Sequence, residues 1–354
     1  MRSFEFSALP WNIIFACGSL SRLPAELKKL SLSRALILST PEQSDDAAKI
    51  AAILGSAAAG IFDQAVMHVP SETIARAQEL VKRRNADCTV SIGGGSTTGL
   101  GKALALKDDL PNIAIPTTYA GSEMTNIWGV TEAGRKTTGR DNRVVPVLTI
   151  YDPELTLTLP PAISATSGIN ALAHAVVNVT DGNNNPIIAL MAEEAIHTLS
   201  MNLPQVVKEP DNLAFRTEAL YGTCLAGAAL GAGTTGIHHR LCHTLGGSFD
   251  TPHALTHTVI LPYAVAFNAG AAPEGTQRVA DALGVDDAAG GIYDLGLSVG
   301  VTMSIKSLGM KEEDIDRAAA LATEQPCPNP AAVTFEGVKR LLMDAFAGER
   351  PSCQ

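Results

Sequence analysis

Short apolar runs alternate with helix-period stretches through the first half of the chain. Residues 34–39 have the unbroken apolar character of a strand covered on both faces, and 45–54 repeat their apolar positions at helical spacing. Ser71 suits an N-cap, opening a helix to about residue 85. A strand is expected at 87–92, then a glycine loop, a helix through Leu106, a strand at 112–115 closed by Pro116, and a last strand at 145–151. Strands alternating with helices imply a parallel sheet with right-handed crossovers. Beyond Leu159-Pro160-Pro161 the pattern changes to long alanine-rich helices at 162–179, 187–201, 213–230, 237–245 and 255–269, with three more to follow. β-branched alternation almost vanishes there. Two domains are expected, an α/β domain over 1–157 and an all-helical one over 158–354.

Composition narrows the class. Hydrophobic residues are 46% and charged ones 18%, which suits folded domains and argues against disorder. The net charge of −10 comes without any basic run, so no nucleic-acid partner is expected, while a small anion remains compatible with local positive charge. The longest apolar run, near 224–233, falls short of the roughly 20 residues of a spanning helix. No secretory signal is expected from the mixed polar and apolar start. Six cysteines without a C-x-x-C pair fit reduced thiols in a cytoplasm.

Gly93-Gly94-Gly95-Ser96-Thr97 lies between a strand and a helix. Glycines let a backbone approach a phosphate, and the free N–H groups and dipole at the helix start favour an anion. The loop is neither a G-x-G-x-x-G fingerprint nor a Walker loop, and a tight strand–helix turn is its bland alternative. A second loop, with Thr117, Thr118, Tyr119 and Ser122, follows the next strand. Two such loops at neighbouring carboxyl ends are where open α/β sheets bind ligands, so the first domain reads as a Rossmann-like dinucleotide-binding domain. Ser39 and Thr40 end an earlier strand where dinucleotide folds contact the ribose. No acidic residue stands there to repel a 2′-phosphate, so NADH use with tolerance of NADPH is expected.

Histidine is scarce, eight in 354 residues, yet His239, His243 and His253 cluster, and Asn170 precedes His174 by four. Residues four apart share a helix face, so Asn170 with His174 and His239 with His243 project together. Such imidazoles offer either a metal site or a proton-donating pocket. His238 and His257 are expected to be core histidines satisfied by backbone. Arg240, Lys102 and Arg143 are candidate partners for an anionic substrate.

The segments 93–96, 116–124, 151–153, 167–174, 238–247, 251–253 and 261–262 resemble, in order, those of the iron-containing alcohol dehydrogenase family. The resemblance implies the dehydroquinate synthase-like fold, an α/β dinucleotide-binding domain plus an all-α domain, and a homodimer. It also implies that Asn170, His174, His239 and His253 stand where metal-binding members hold an aspartate and three histidines, with His243 near the nicotinamide. The aspartate is missing, and Arg240 adds positive charge beside His239. Metal-independent catalysis is therefore expected, with no metal ligand assigned. The resemblance points to a reductase branch acting on an enone dicarboxylate in aromatic-compound catabolism. There His243 or His253 would supply the hydrogen bond and proton, and Asn170, His174, His239 and Arg240 would hold the substrate. The alternatives are a metal-dependent alcohol or polyol dehydrogenase, a dehydroquinate-synthase-like or glycerol-dehydrogenase-like enzyme, and a non-catalytic nucleotide-binding protein. The edge near the first residues, 4–6 and 11–15, could pair between subunits or form a hairpin within one chain.

Overall fold

The computed structural model describes residues 4–133, 135–180, 185–233 and 235–353. In chain order the first unit, Ser7–Leu159, holds β1 (Ile13–Phe15), α1 (Leu23–Lys29), β2 (Ala35–Leu38), α2 (Ser44–Leu54), β3 (Ala58–Phe62), α3 (Ser71–Arg84), β4 (Cys88–Gly93), α4 (Gly95–Asp108) and β5 (Asn112–Pro116). A ribbon of β6 (Ile127–Glu132) and β7 (Arg135–Arg140) precedes β8 (Leu148–Tyr151). Six strands form a wholly parallel sheet in the order β1-β8-β5-β4-β2-β3.

Strands β2, β4, β5 and β8 are buried at every residue, because helices cover both faces. Alternate residues of β2 show it: Ile37 packs with Leu23, Leu27 and Ile50 of α1 and α2, whereas Leu36 and Leu38 pack with Ile74, Leu100 and Leu104 of α3 and α4. Gly101 of α4 permits close helix–sheet packing, since a Cβ there would lie 2.6 Å from the Asn112 side chain. The chain passes from β2 to β3 on one side and then crosses to β4 on the other. The strand order therefore reverses between β2 and β4.

Two features differ from the sequence expectation. Strand β3 and the β6–β7 ribbon were not anticipated: β3 (Ala-Ala-Gly-Ile-Phe) is short and glycine-interrupted, and the ribbon is largely exposed and polar. Residues 13–15 form not a hairpin but a parallel edge strand on β8, with Ile14 opposite Ile150.

The second unit gathers Pro160–Gln354 with the first residues of the chain. Its helices are α5 (Pro161–Thr180), α6 (Pro186–Lys208), α7 (Leu213–Ala232), α8 (Ile237–Phe249), α9 (His253–Ala269), α10 (Pro273–Leu283), α11 (Ala288–Ser298), α12 (Ile315–Thr323) and α13 (Phe335–Ala347). Four helices thus follow α9 where three are expected. Helix α6 runs on past Pro204, which sits in its last turns. Helix α5 is buried almost all round and packs on α6, α7 and α9, so the residues it carries are held rigidly.

Candidate active site

In the first unit, three chain segments meet at the carboxyl ends of adjacent strands. Ser39 and Thr40 follow β2, Gly94 and Gly95 follow β4, and Thr117 and Thr118 follow β5, where Gly93 is paired with Pro116. This is the strand-order reversal at which open α/β sheets bind nucleotides. The loops are pressed together. The Thr117 amide donates to the Gly93 carbonyl (3.0 Å), Gln43 Nε2 donates to Thr117 Oγ1 (2.6 Å), and a Cβ on Gly94 would lie 2.9 Å from Thr118 Oγ1. Gly93 has φ +137°, a conformation reserved for glycine.

Gly95, the first residue of α4, is exposed, and a Cβ built on it would meet nothing within 4 Å. The helix start therefore opens on free space at Gly95, which suits a diphosphate. Gly94, Ser96, Thr118 and Ser122 share some exposure, whereas Thr97, Thr117 and Tyr119 are buried. Thr97 Oγ1 donates to the Gly94 carbonyl (3.0 Å), so it shapes the turn. Ser39 Oγ is buried without a partner among the described residues. Gly95→Val is expected to raise the dinucleotide KM about tenfold or more, roughly 1.4 kcal/mol. The thermal midpoint should stay close to wild type, because a Cβ at Gly95 meets no protein atom within 4 Å.

In the second unit, six imidazoles converge. Helix α5 supplies His174, α8 supplies His238, His239 and His243, and α9 supplies His253 and His257. His174 and His239 stack at 5.1 Å between ring centroids, with Nδ1 and Nε2 3.0 Å apart. His238 Nε2 and His257 Nδ1 also approach to 3.0 Å. His253 sits 4.5 Å from His257 and stacks with His243 at 6.4 Å. Exposure divides them: His243 is exposed and His253 half-buried, whereas Asn170, His174, His238, His239 and His257 are buried.

Burial pulls His174 and His238 down to about 3 and His239 and His257 well below the usual imidazole range, with repulsion from neighbouring imidazoles adding to it. The four buried rings are neutral near pH 7. The Asn170 amide oxygen and His239 Nδ1 have no partner among the described residues, so both keep hydrogen-bonding capacity for a ligand.

His238 and His257 are thus not backbone-satisfied core residues but members of the cluster. The signal was present: His253 and His257 are four apart on α9, as His238 and Cys242 are on α8. Asn329 and Asn268 carry no catalytic signature, yet they fix α8. Asn329 Oδ1 accepts from the Ile237 amide (3.1 Å) and from Asn268 Nδ2 (3.2 Å), and Asn329 Nδ2 donates to Asn268 Oδ1 (2.6 Å). Asn268 lies near the end of α9, so one amide pair ties together the two helices that carry five of the six histidines. Asn329→Ala should destabilise the protein by about 1–3 kcal/mol, the cost of leaving such partners unpaired, read as a lowered denaturant midpoint.

The cations suggested for an anionic substrate are engaged elsewhere. Lys102 Nζ is buried and donates to the carbonyls of Ser122 (2.6 Å), Thr125 (2.8 Å) and Ile127 (2.9 Å), pinning the second loop. Burial pulls Lys102 down to about 7. Arg143 pairs with Asp141 and Asp109 at the surface. Arg240 Nη2 donates to the Pro326 carbonyl (3.2 Å). Two motif acids are structural: Asp152 accepts from the Gly18 and Leu20 amides at 3.0 Å, and buried Glu123 accepts from the Tyr151 hydroxyl at 2.7 Å.

The iron-containing alcohol dehydrogenase profile matches residues 10–153, and the C-terminal profile of the Fe-containing alcohol dehydrogenase family matches 164–346. The chain belongs to the iron-containing alcohol dehydrogenase family. Within this family it is 51% identical to the maleylacetate reductase of Sphingobium indicum over 98% of this chain and 99% of that one. It is 50% identical to that of Burkholderia cepacia, over 99% and 100% of the two chains. The crystal structure of maleylacetate reductase from Rhizobium sp. strain MTP-10005 matches with a TM-score of 0.96 and 48% identity, covering 99% of this chain and all of that one (100%).

Asn170, His174, His239 and His253, which the resemblance sets at the family's metal positions, fit iron poorly. Asn170 brings a neutral amide in place of a carboxylate, and the facing nitrogens of His174 and His239 lie within hydrogen-bonding distance of each other. Among the described residues, the ligand-type atoms that converge within 4.8 Å belong to a different set, His238, Cys242 and His257. No catalytic step is assigned to iron.

Proposed function

We propose that this chain reduces the conjugated carbon–carbon double bond of maleylacetate, giving 3-oxoadipate, with NADH as the preferred donor and no metal ion in the reaction. The observation that carries this reading is the division of the imidazole cluster into four buried neutral rings and two accessible ones, His243 and His253. Full-length identities of 51% and 50% to maleylacetate reductases support the same substrate.

Bound reduced nicotinamide supplies a hydride. The substrate takes that hydride at the alkene carbon far from its ketone, so negative charge develops on the ketone oxygen as an enolate. A preorganised N–H donor from His243 or His253 stabilises that oxygen, the kind of electrostatic help a metal ion gives in other enzymes. The proton then reaches the carbon beside the ketone from the same accessible pair, whose solvent contact allows reprotonation after each turnover. Asn170 and His239 orient the substrate through their spare hydrogen-bonding capacity, and His174, stacked on His239, joins them. Arg240 takes part only by giving up the Pro326 carbonyl. Gly93–Thr97, Thr117–Tyr119 and Ser122 frame the dinucleotide, and Ser39 and Thr40 sit beside its ribose. The absence of an acidic side chain at Thr40 leaves room for NADPH. We place the enzyme in the cytoplasm as a homodimer that associates through the edge strand β1.

A substrate panel tests this. Nicotinamide oxidation should be faster, by orders of magnitude in kcat/KM, with maleylacetate than with simple aldehydes, ketones or diols. Comparable or better turnover of a simple aldehyde would assign the chain to alcohol chemistry instead.

A further inference from the structure

We propose that His238, Cys242 and His257 form a binding site for one soft, thiophilic cation, separate from the family's metal positions and sharing no residue with them. The three side chains are buried, and their ligand-type atoms all lie within 4.8 Å of one another. His238 Nε2 stands 3.0 Å from His257 Nδ1 and 3.8 Å from Cys242 Sγ, spacings close to those of ligands around a single small ion. The set is built into rigid helices: His238 and Cys242 are one turn apart on α8, and His257 projects from α9. Two imidazoles and a thiolate, with no carboxylate, are a soft donor set that favours Zn(II), Cd(II) or Cu(I) over iron or magnesium.

The protons balance. At present one of the two facing nitrogens carries the hydrogen they share. On binding, that hydrogen moves to the outer nitrogen of the same ring, His238 Nδ1 or His257 Nε2, neither of which has a partner among the described residues. The thiol loses its proton to solvent as the sulfur–metal bond forms, so each ion releases one proton and no electron moves. Burial holds the Cys242 thiol protonated in the metal-free protein, and coordination deprotonates it outright.

The site touches the catalytic pair, since the His257 ring lies 4.5 Å from that of His253. A cation there places positive charge beside a proton donor and is expected to inhibit turnover reversibly.

Cadmium(II) alone is a suitable probe, added to reduced, chelator-treated protein in which Cys17, Cys327 and Cys353 are replaced by serine to remove the more accessible thiols. One equivalent should bind, producing a thiolate-to-cadmium absorption band and releasing one proton, with turnover lost and restored by chelator. The band should vanish in Cys242→Ser and in His257→Asn, and persist in His174→Asn. Far-ultraviolet circular dichroism and dinucleotide binding show that each variant is folded. A band that survives Cys242→Ser, one lost in folded His174→Asn, or no stoichiometric binding at all overturns the site.

Discussion

His253→Ala and His243→Ala are each expected to lower kcat on maleylacetate by about 10²–10⁴-fold, the usual worth of a positioned proton donor. The physical ground is accessibility combined with charge. His174, His238, His239 and His257 are buried and held neutral by desolvation, so near pH 7 none of them can deliver a proton and recover it from solvent. His243 is exposed and His253 half-buried, and their rings stack at 6.4 Å, so they can act on one substrate atom. The double variant should lose little more than the worse single one, because groups acting as a unit are not additive. Added imidazole should restore part of the activity of His253→Ala, which a folding defect would not allow. Near wild-type turnover in both single variants would remove the pair from the mechanism.

Acid should weaken the fold earlier than carboxylate titration alone explains. His174 and His238 are lowered by burial from 6.5 to about 3, and His239 and His257 fall well below 6.5. Between those values the unfolded chain binds more protons than the folded one. Stability present above pH 6.5 is therefore lost as pH drops toward 3. Each imidazole adds a slope of about 1.4 kcal/mol per pH unit within that window. Chemical denaturation at pH 7 and pH 5 isolates the effect, since ordinary carboxylates titrate lower. A clear fall in the midpoint is expected, smaller in His257→Gln. Equal midpoints at the two pH values in wild type would show that the rings are not buried neutral.

Elements whose role is buried on all sides were the legible ones. The unbroken apolar runs of β2, β4, β5 and β8 follow from helices on both sheet faces, and the glycine loop announced the helix start that opens on free space at Gly95. Strand β3 escaped because alanine and glycine give it little apolar contrast, and the β6–β7 ribbon because solvent covers much of it. The four-residue spacing revealed His239 with His243 and Asn170 with His174, since one helix sets each pair. It did not reveal that His238 meets His257, a contact made between α8 and α9. Nor could local pattern show that Lys102 is buried among loop carbonyls, or that Asn329 reaches across 92 positions to the first amide of α8. These are tertiary partnerships, fixed by packing.

Metal content against turnover decides most directly whether imidazole donors replace a cation. Protein purified without chelator and then stripped should be assayed on maleylacetate alongside elemental analysis for iron and zinc. The imidazole mechanism predicts full turnover at far less than one equivalent of either metal and no gain when metal is restored. Activity that disappears with the metal and returns in proportion to its reloading would contradict it.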